Sequence, residues 1–211
     1  MNKPFDIQRY LKEGYELFSA NAVNLVVATL LFVVVHFAAN FIPFATFLVT
    51  GPMMGGMFLV VMDIMEGKTF NAMRVFDGFQ KLVPLVLVGI LVSVFTMAGF
   101  ILLIIPGFIV MGWYLFPYLF VVDEEMDFWQ AMEASRMIGF ANHVQVALMA
   151  LALGVINLIG ALMLGVGLLV TIPLTICAIA KAYEDQHGFK SLKSWPSSLK
   201  VAPPPPPASP V

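Results

Sequence analysis

Charge is what this chain has least of. Of its 211 residues, 11 are Lys or Arg and 13 are Asp or Glu, which makes 11% charged. Soluble globular domains carry about a quarter. So few charges cannot cover a water-facing surface when 60% of the residues are hydrophobic, and the mean hydropathy of +0.92 agrees. The composition is that of an integral membrane protein. The formal net charge of -2 leaves no basic field, and no basic, aromatic-interleaved patch occurs, so no nucleic-acid partner is expected. Cysteine is as scarce: Cys177 stands alone in an apolar run and cannot form an intrachain disulfide.

The motifs of chemistry are missing too. There is no G-x-S-x-G stretch, no H-E-x-x-H and no Gly-rich phosphate loop. His36, His143 and His187 lie far apart in sequence. No pair of membrane-buried carboxylates exists for an intramembrane aspartyl protease. The methionines Met53, Met54, Met57, Met62 and Met65 cluster, but flexible packing explains them better than a thioether path for copper. The acidic run Asp123-Glu124-Glu125 reads as a solvated turn rather than a cation site. The expectation is a protein without a catalytic site, metal or cofactor.

What is present is long apolar runs. About 20 apolar residues cross a bilayer core as a helix. Six runs qualify or nearly so: 22–42, 44–62, 82–105, 108–122, 144–163 and 165–180. Pro106-Gly107 is expected to break the third from the fourth, and Pro117 to kink the fourth. All charges fall before residue 20, within 63–81, within 123–136, or from 181 onward. The turns between paired runs, at 40–46, 105–107 and 161–167, carry none. All four charged stretches then share one face. The positive-inside rule makes that face cytoplasmic, with both termini on it.

The passage "LVTGP" at Leu48–Pro52 returns as "LVTIP" at Leu169–Pro173, displaced by 121 residues. The same shift lays Asp6 on Asp127, Ala20-Asn21 on Ala141-Asn142, and Gly67 on Gly188. Gly78-Phe79 can be laid on Gly139-Phe140 in turn. The fold expected is an all-α integral membrane protein with six transmembrane helices. They form three tandem hairpin repeats, 5–67, 68–125 and 126–188, oriented alike, within a membrane domain spanning 1–188.

Each repeat opens with an amphipathic segment suited to the membrane interface. Its apolar stripe is Ile7, Leu11, Gly14 and Phe18 in the first copy. It is Phe70, Met73 and Phe76 in the second, and Phe128, Ala131, Met132, Ser135 and Ile138 in the third. Trp129 suits the headgroup level. Such helices either cap the bundle or present a surface to lipid and partners.

Three sets of candidate residues follow. His36 and Asn157 are equivalent under the shift, and Thr96 joins them through the middle alignment. They either bond between helices or line a polar path. Pro52 and Pro173 sit inside equivalent helices as static kinks or hinges. Pro203, Pro204, Pro205, Pro206 and Pro207 end a Lys-bearing tail, 189–211, expected to be disordered and extended in the cytoplasm. It is either a free end or a ligand for an aromatic-lined groove on a partner protein.

The stretch "IPGFIVMGWYLFPYLFVVDEEMDFWQAMEASRMI" and the closing "AKAYED" resemble a group of bacterial six-span inner-membrane proteins. That group is related to the membrane domain of some glycerophosphodiester phosphodiesterases. The resemblance covers about 5–188. It implies a bacterial inner membrane and an all-helical domain, and brings no catalytic residue with it. Mitochondrial carriers share the plan of three two-span units, but their Pro-x-acid-x-x-base signature is missing after Pro52 and Pro173. Two readings of function remain. One is a non-enzymatic scaffold or accessory protein engaging membrane lipids and a polyproline-binding or membrane partner. The other is a small carrier or channel for a lipid or weakly polar solute.

Overall fold

A computed structural model describes residues 4–163 and 165–190, so the proline run 203–207 lies outside the described residues. Among these residues there are nine α-helices, one 3-10 helix and no strand. The α-helices are α1 (Ile7–Ala20), α2 (Ala22–Ala39), α3 (Ala45–Met65), α4 (Leu82–Leu102) and α5 (Ile104–Trp113). After them come α6 (Pro117–Asp123), α7 (Phe128–Ala141), α8 (His143–Leu162) and α9 (Leu168–Gln186). The 3-10 helix, Ala72–Lys81, leads directly into α4.

Length and apolarity qualify five segments to cross a membrane: α2, α3, the 3-10 helix with α4, the α5–α6 pair, and α8. This is a helical membrane protein. The sixth run forms α9, but Lys181, Glu184 and Asp185 fall in its last turns and keep it out of that set.

The helices pack as a closed ring: α2 on α3, α3 on α4, α4 on α5, α5 on α8, α8 on α9, and α9 back on α2. Within it α3, the α5–α6 pair and α9 lie inward. α3 is 56% buried along its apolar length and the α5–α6 pair 44%, against 28%, 22% and 28% for α2, the α4 stretch and α8. Met53, Met57 and Phe58 of α3 meet Phe116, Leu119, Phe120 and the α9 residues Cys177 and Tyr183 in one core. Tyr183 stacks its ring edge against Phe120, centroids 5.1 Å apart.

Two expected breaks move. The third run ends at Leu103, whose extended backbone separates α4 from α5, and not at Pro106-Gly107. Pro106 is then the third residue of α5, inside the first turn, where a missing N–H costs no bond. Pro117 does not kink a helix: it is the first residue of α6. The chain breaks at 114–116, and α7 fills the gap. The Ser135 hydroxyl donates to the Trp113 carbonyl at 2.7 Å and accepts from the Phe116 N–H at 3.1 Å.

The amphipathic segments dock on inner helices. α1 lies along α9, the 3-10 helix along α3, and α7 along α5 and α6. Of the stripe on α7, Ala131, Met132 and Ser135 are buried, Phe128 and Ile138 are half-buried, and Gly139 joins the buried face. On α1 the buried face is Tyr10, Gly14 and Phe18, so Tyr10 joins it while Ile7 and Leu11 are half-buried. In the middle copy Val75 and Gly78 are buried and Met73 faces outward, which corrects the stripe drawn through Met73. Val75 and Gly78 follow the three-residue period of the 3-10 helix, so the buried row is the one beside Phe70, Met73 and Phe76 and not that row itself.

Candidate functional site

The inner helices all end in acid on the same face. α3 ends through Asp63, α6 through Asp123, and α9 through Glu184 and Asp185. Asp63, Asp123 and Asp185 are each held by an element that follows in sequence or crosses over, while Glu184 pairs with Lys181 on α9 itself. Asp63 accepts from Lys68 Nζ at 2.9 Å and from Arg74 Nε at 2.8 Å. Lys68 also pairs with Glu66. The Arg74–Asp63 bond ties the 3-10 helix to the end of α3, and Arg74 also pairs with Asp77 within the 3-10 helix at 2.6 Å. Lys81 bridges to the α6–α7 turn through the Val121 carbonyl at 3.3 Å and Glu125 at 3.1 Å.

Asp123 is the buried member. One carboxylate oxygen accepts from the Tyr183 hydroxyl at 3.0 Å, and both accept from the Lys190 backbone N–H at 3.1 Å. Beside it, His187 Nε2 stands 3.0 Å from Glu124 Oε1. Asp123-Glu124 is therefore a latch for the chain leaving α9, not a solvated turn.

These groups surround an open cavity of about 470 Å³. Leu59, Met62 and Val122 form its apolar floor, with Asp63, Lys68, Arg74 and Asp123 around it. The nearby pairs hold the flanking groups in charged form. Glu66 and Asp63 raise the affinity of Lys68 for its proton, and Lys81 lowers that of the Glu125 carboxyl. Among the described residues no set of three or more His, Cys, Asp or Glu side chains is grouped to hold a metal ion.

The clamp of α1 on α9 is a third polar joint. The Tyr10 hydroxyl donates to Asp185 at 2.7 Å and accepts from Gln186 at 3.0 Å, while Arg9 reaches Asp185 at 3.4 Å. Burial, and then the Asp185 bond, push the Tyr10 hydroxyl up to about 12. A free tyrosine ionises near about 10. The folded state prefers the neutral phenol, so its contribution is complete below about pH 10 and is lost as pH rises through about 12. Tyr10→Phe should make the protein less stable at neutral pH. The gap between variant and parent should close across that alkaline window, in paired thermal melts. A gap that stays constant there would remove Tyr10 from the clamp.

The polar-path candidates sit on the outer helices: His36 on α2, Thr96 on α4 and Asn157 on α8. Those three helices pack on their hairpin partners and not appreciably on one another. His36 stacks on Phe32, with centroids 5.6 Å apart. Asn157 donates to Thr175 on α9 at 3.3 Å, and Thr175 in turn donates to the Ile172 carbonyl at 2.8 Å. His36 Nδ1, Thr96 Oγ1 and Asn157 Oδ1 are each buried without a hydrogen-bond partner among the described residues. Trp113 Nε1 and Thr171 Oγ1 are in the same condition.

Pro52 and Pro173 are both buried inside their helices. The Pro52 carbonyl lies against Gly78, so close that an added Cβ there would stand 1.9 Å away.

Sequence does not single out Tyr10 or Tyr183, and it offers Lys190 only as one of the tail lysines. Ser135 was read as part of an apolar stripe, and its small size at a buried position beside a Pro-bounded break was the available signal. Comparison of the chain with protein-family models, with curated proteins and with solved structures returns no match.

Proposed function

We propose that the chain is a non-enzymatic scaffold or accessory protein of a bacterial inner membrane. In this reading six spans form three tandem hairpin units, with both termini on the cytoplasmic, charged face. The unit plan is supported by boundaries that recur at 121 residues: α1 with α7, and the starts of α2 and α8. The capping residues Asn21 and Asn142 share nearly the same backbone, φ -128° and -127°, and each side chain donates four residues back. Gly67 and Gly188 both adopt positive φ, 72° and 80°. The packing has a cyclic order: the amphipathic segment of each unit rests on the inner helix of the unit before it, and α1 rests on α9.

The observation that carries the scaffold reading is the filled centre. Met53, Met57, Phe58, Phe116 and Phe120 are almost wholly buried where a path would run. Asp63, Arg74, Lys81, Asp123 and Asp185 at the cytoplasmic end are engaged in joints between elements, with no nucleophile–base arrangement among these residues. Lipid and partner proteins are then met by the outward faces of the amphipathic helices and by the tail that carries Pro203–Pro207. A carrier for lipid or weakly polar solute is the second reading. The orphaned polar atoms of His36, Thr96 and Asn157, at matching places in the three units, favour it.

Native mass spectrometry of gently extracted protein, full length and truncated after Leu199, separates the two. The scaffold reading expects a second polypeptide that is retained by the full chain and lost on truncation. Retention of one defined small solute by both forms, with release when Asn157→Leu is introduced, would put the carrier reading in its place.

A further inference from the structure

The end of the bundle opposite the charges has its own character. It consists of three turns: 40–44 between α2 and α3, Leu103 between α4 and α5, and the α8–α9 turn around Met163 and Gly165. The side chains there point outward and are almost all apolar. Phe44 is 79% exposed, Ile101 77%, Ile105 74% and Leu162 74%. Phe41, Ile42, Leu102, Ile104, Met163 and Val166 continue the surface. An apolar surface of this extent, capping every turn, is not left to water.

The backbone makes a second, independent point. A turn in water leaves its peptide groups to the solvent, whereas a turn without water must satisfy them internally. Most N–H groups of these turns are satisfied internally. In the first, the N–H groups of Asn40, Phe41, Ile42, Ala45 and Phe47 each reach a carbonyl three residues back, at 3.2 Å. The Asn40 side chain folds onto the His36 carbonyl at 2.8 Å instead of extending outward. In the second, Leu103 and Gly107 bond to Gly99 and Leu103. In the third, Met163, Gly165, Leu168, Leu169, Val170 and Thr171 are all bonded within the turn.

Length agrees. The 18 residues of α2 span about 27 Å and the 21 of α4 about 32 Å, against a hydrocarbon core of about 30 Å. Helices anchored by their charged ends at one interface therefore stop at the opposite edge of the core, with nothing left to project.

We infer that the three turns end inside the far leaflet, among acyl chains and at the glycerol level, and that the protein presents water with its charged face alone. The far surface is a lipid-contact surface continuous with the apolar flanks of α2, α4 and α8. Every partner that approaches from water must then use the charged face. This rests on the membrane reading above, and the test separates the two.

Single cysteines are placed at Ile42→Cys, Ile104→Cys and Met163→Cys, with Lys12→Cys on the charged face, all in a Cys177→Ala background. Each is treated with a membrane-impermeant maleimide in sealed vesicles of both orientations and again after denaturation in SDS. The expected result is that Lys12→Cys reacts from one side only, while the three turn positions react from neither side until denatured. The parent chain, with buried Cys177 alone, shows whether the background substitution disturbs the fold. Tryptophan at the same depth, Ile104→Trp, should be quenched more by lipid brominated on its acyl chains than by aqueous iodide. Labelling of the turn cysteines from the far side at the rate of the Lys12→Cys control would overturn the inference and leave the spans standing. A chain stripped from vesicles by alkaline carbonate would overturn both.

Discussion

Gly78→Ala should cost about 3 kcal/mol, the upper end of what overpacking a well-filled site usually costs. A β-carbon at Gly78 would stand 1.9 Å from the Pro52 carbonyl oxygen and 2.8 Å from the Gly56 nitrogen. Both obstacles are backbone, so no side chain can turn aside. The same joint is closed from the other side, where a β-carbon at Gly56 would meet the Val75 carbonyl. Relief requires the 3-10 helix to lift off α3. Lifting it also pulls Arg74 away from Asp63 and uncovers Val75, which is fully buried. Gly154→Ala is the internal control. Its nearest neighbour would be Phe108 Cε1 at 3.8 Å, an ordinary contact. Replacing a helical glycine by alanine in such space stabilises by up to about 1 kcal/mol. The two variants should therefore move in opposite directions in detergent unfolding curves. If Gly78→Ala unfolds with the parent, the close approach of the 3-10 helix to α3 is wrong.

How much of this was legible beforehand differs from residue to residue. The α7 stripe was readable because Ala131, Met132, Ser135 and Ile138 follow an α-helical period and α7 is an α-helix. The apolar runs around α2, α3, α4 and α8 were readable because hydrophobic length alone decides a span. Tyr10 was missed because tyrosine is ambiguous at an interface: only the Asp185 and Gln186 partners, more than 170 residues away in sequence, make its burial favourable. Leu103 was passed over for Pro106-Gly107 because proline reads as a breaker, although it is tolerated in the first turn of a helix. The latch at Asp123 joins residues 60 and 67 positions apart, and a carboxylate written beside two others looked like a solvated turn. The polar candidates His36, Thr96 and Asn157 were found by symmetry, and the structure leaves a buried polar atom unbonded on each. Hydrophobic periodicity thus marks elements, whereas the joints between elements depend on pairs that no local pattern records.

Asp123→Ala should be the second severe change, about 1–3 kcal/mol, because it orphans the buried Tyr183 hydroxyl and unties the chain at Lys190. Tyr183 is fully buried, and its hydroxyl donates to Asp123 at 3.0 Å. The Lys190 N–H has both Asp123 oxygens at 3.1 Å. Removing the acceptor leaves the buried Tyr183 hydroxyl without the partner for which it was desolvated, at about 1–3 kcal/mol, whereas the exposed Lys190 can turn its N–H to water. The damage should be local to the exit of α9, where Phe189 is also buried and His187 meets Glu124. A latch makes a more specific claim than simple destabilisation. Once Asp123 is gone, removing the Tyr183 hydroxyl should help rather than harm. The double variant Asp123→Ala, Tyr183→Phe should recover about 1 kcal/mol or more over Asp123→Ala alone, whereas Tyr183→Phe in the parent should destabilise. That reversal of sign is the coupling a double-mutant cycle reads. Additive effects would mean that Asp123 and Tyr183 act separately, and that the chain beyond α9 is held by Phe189 packing instead.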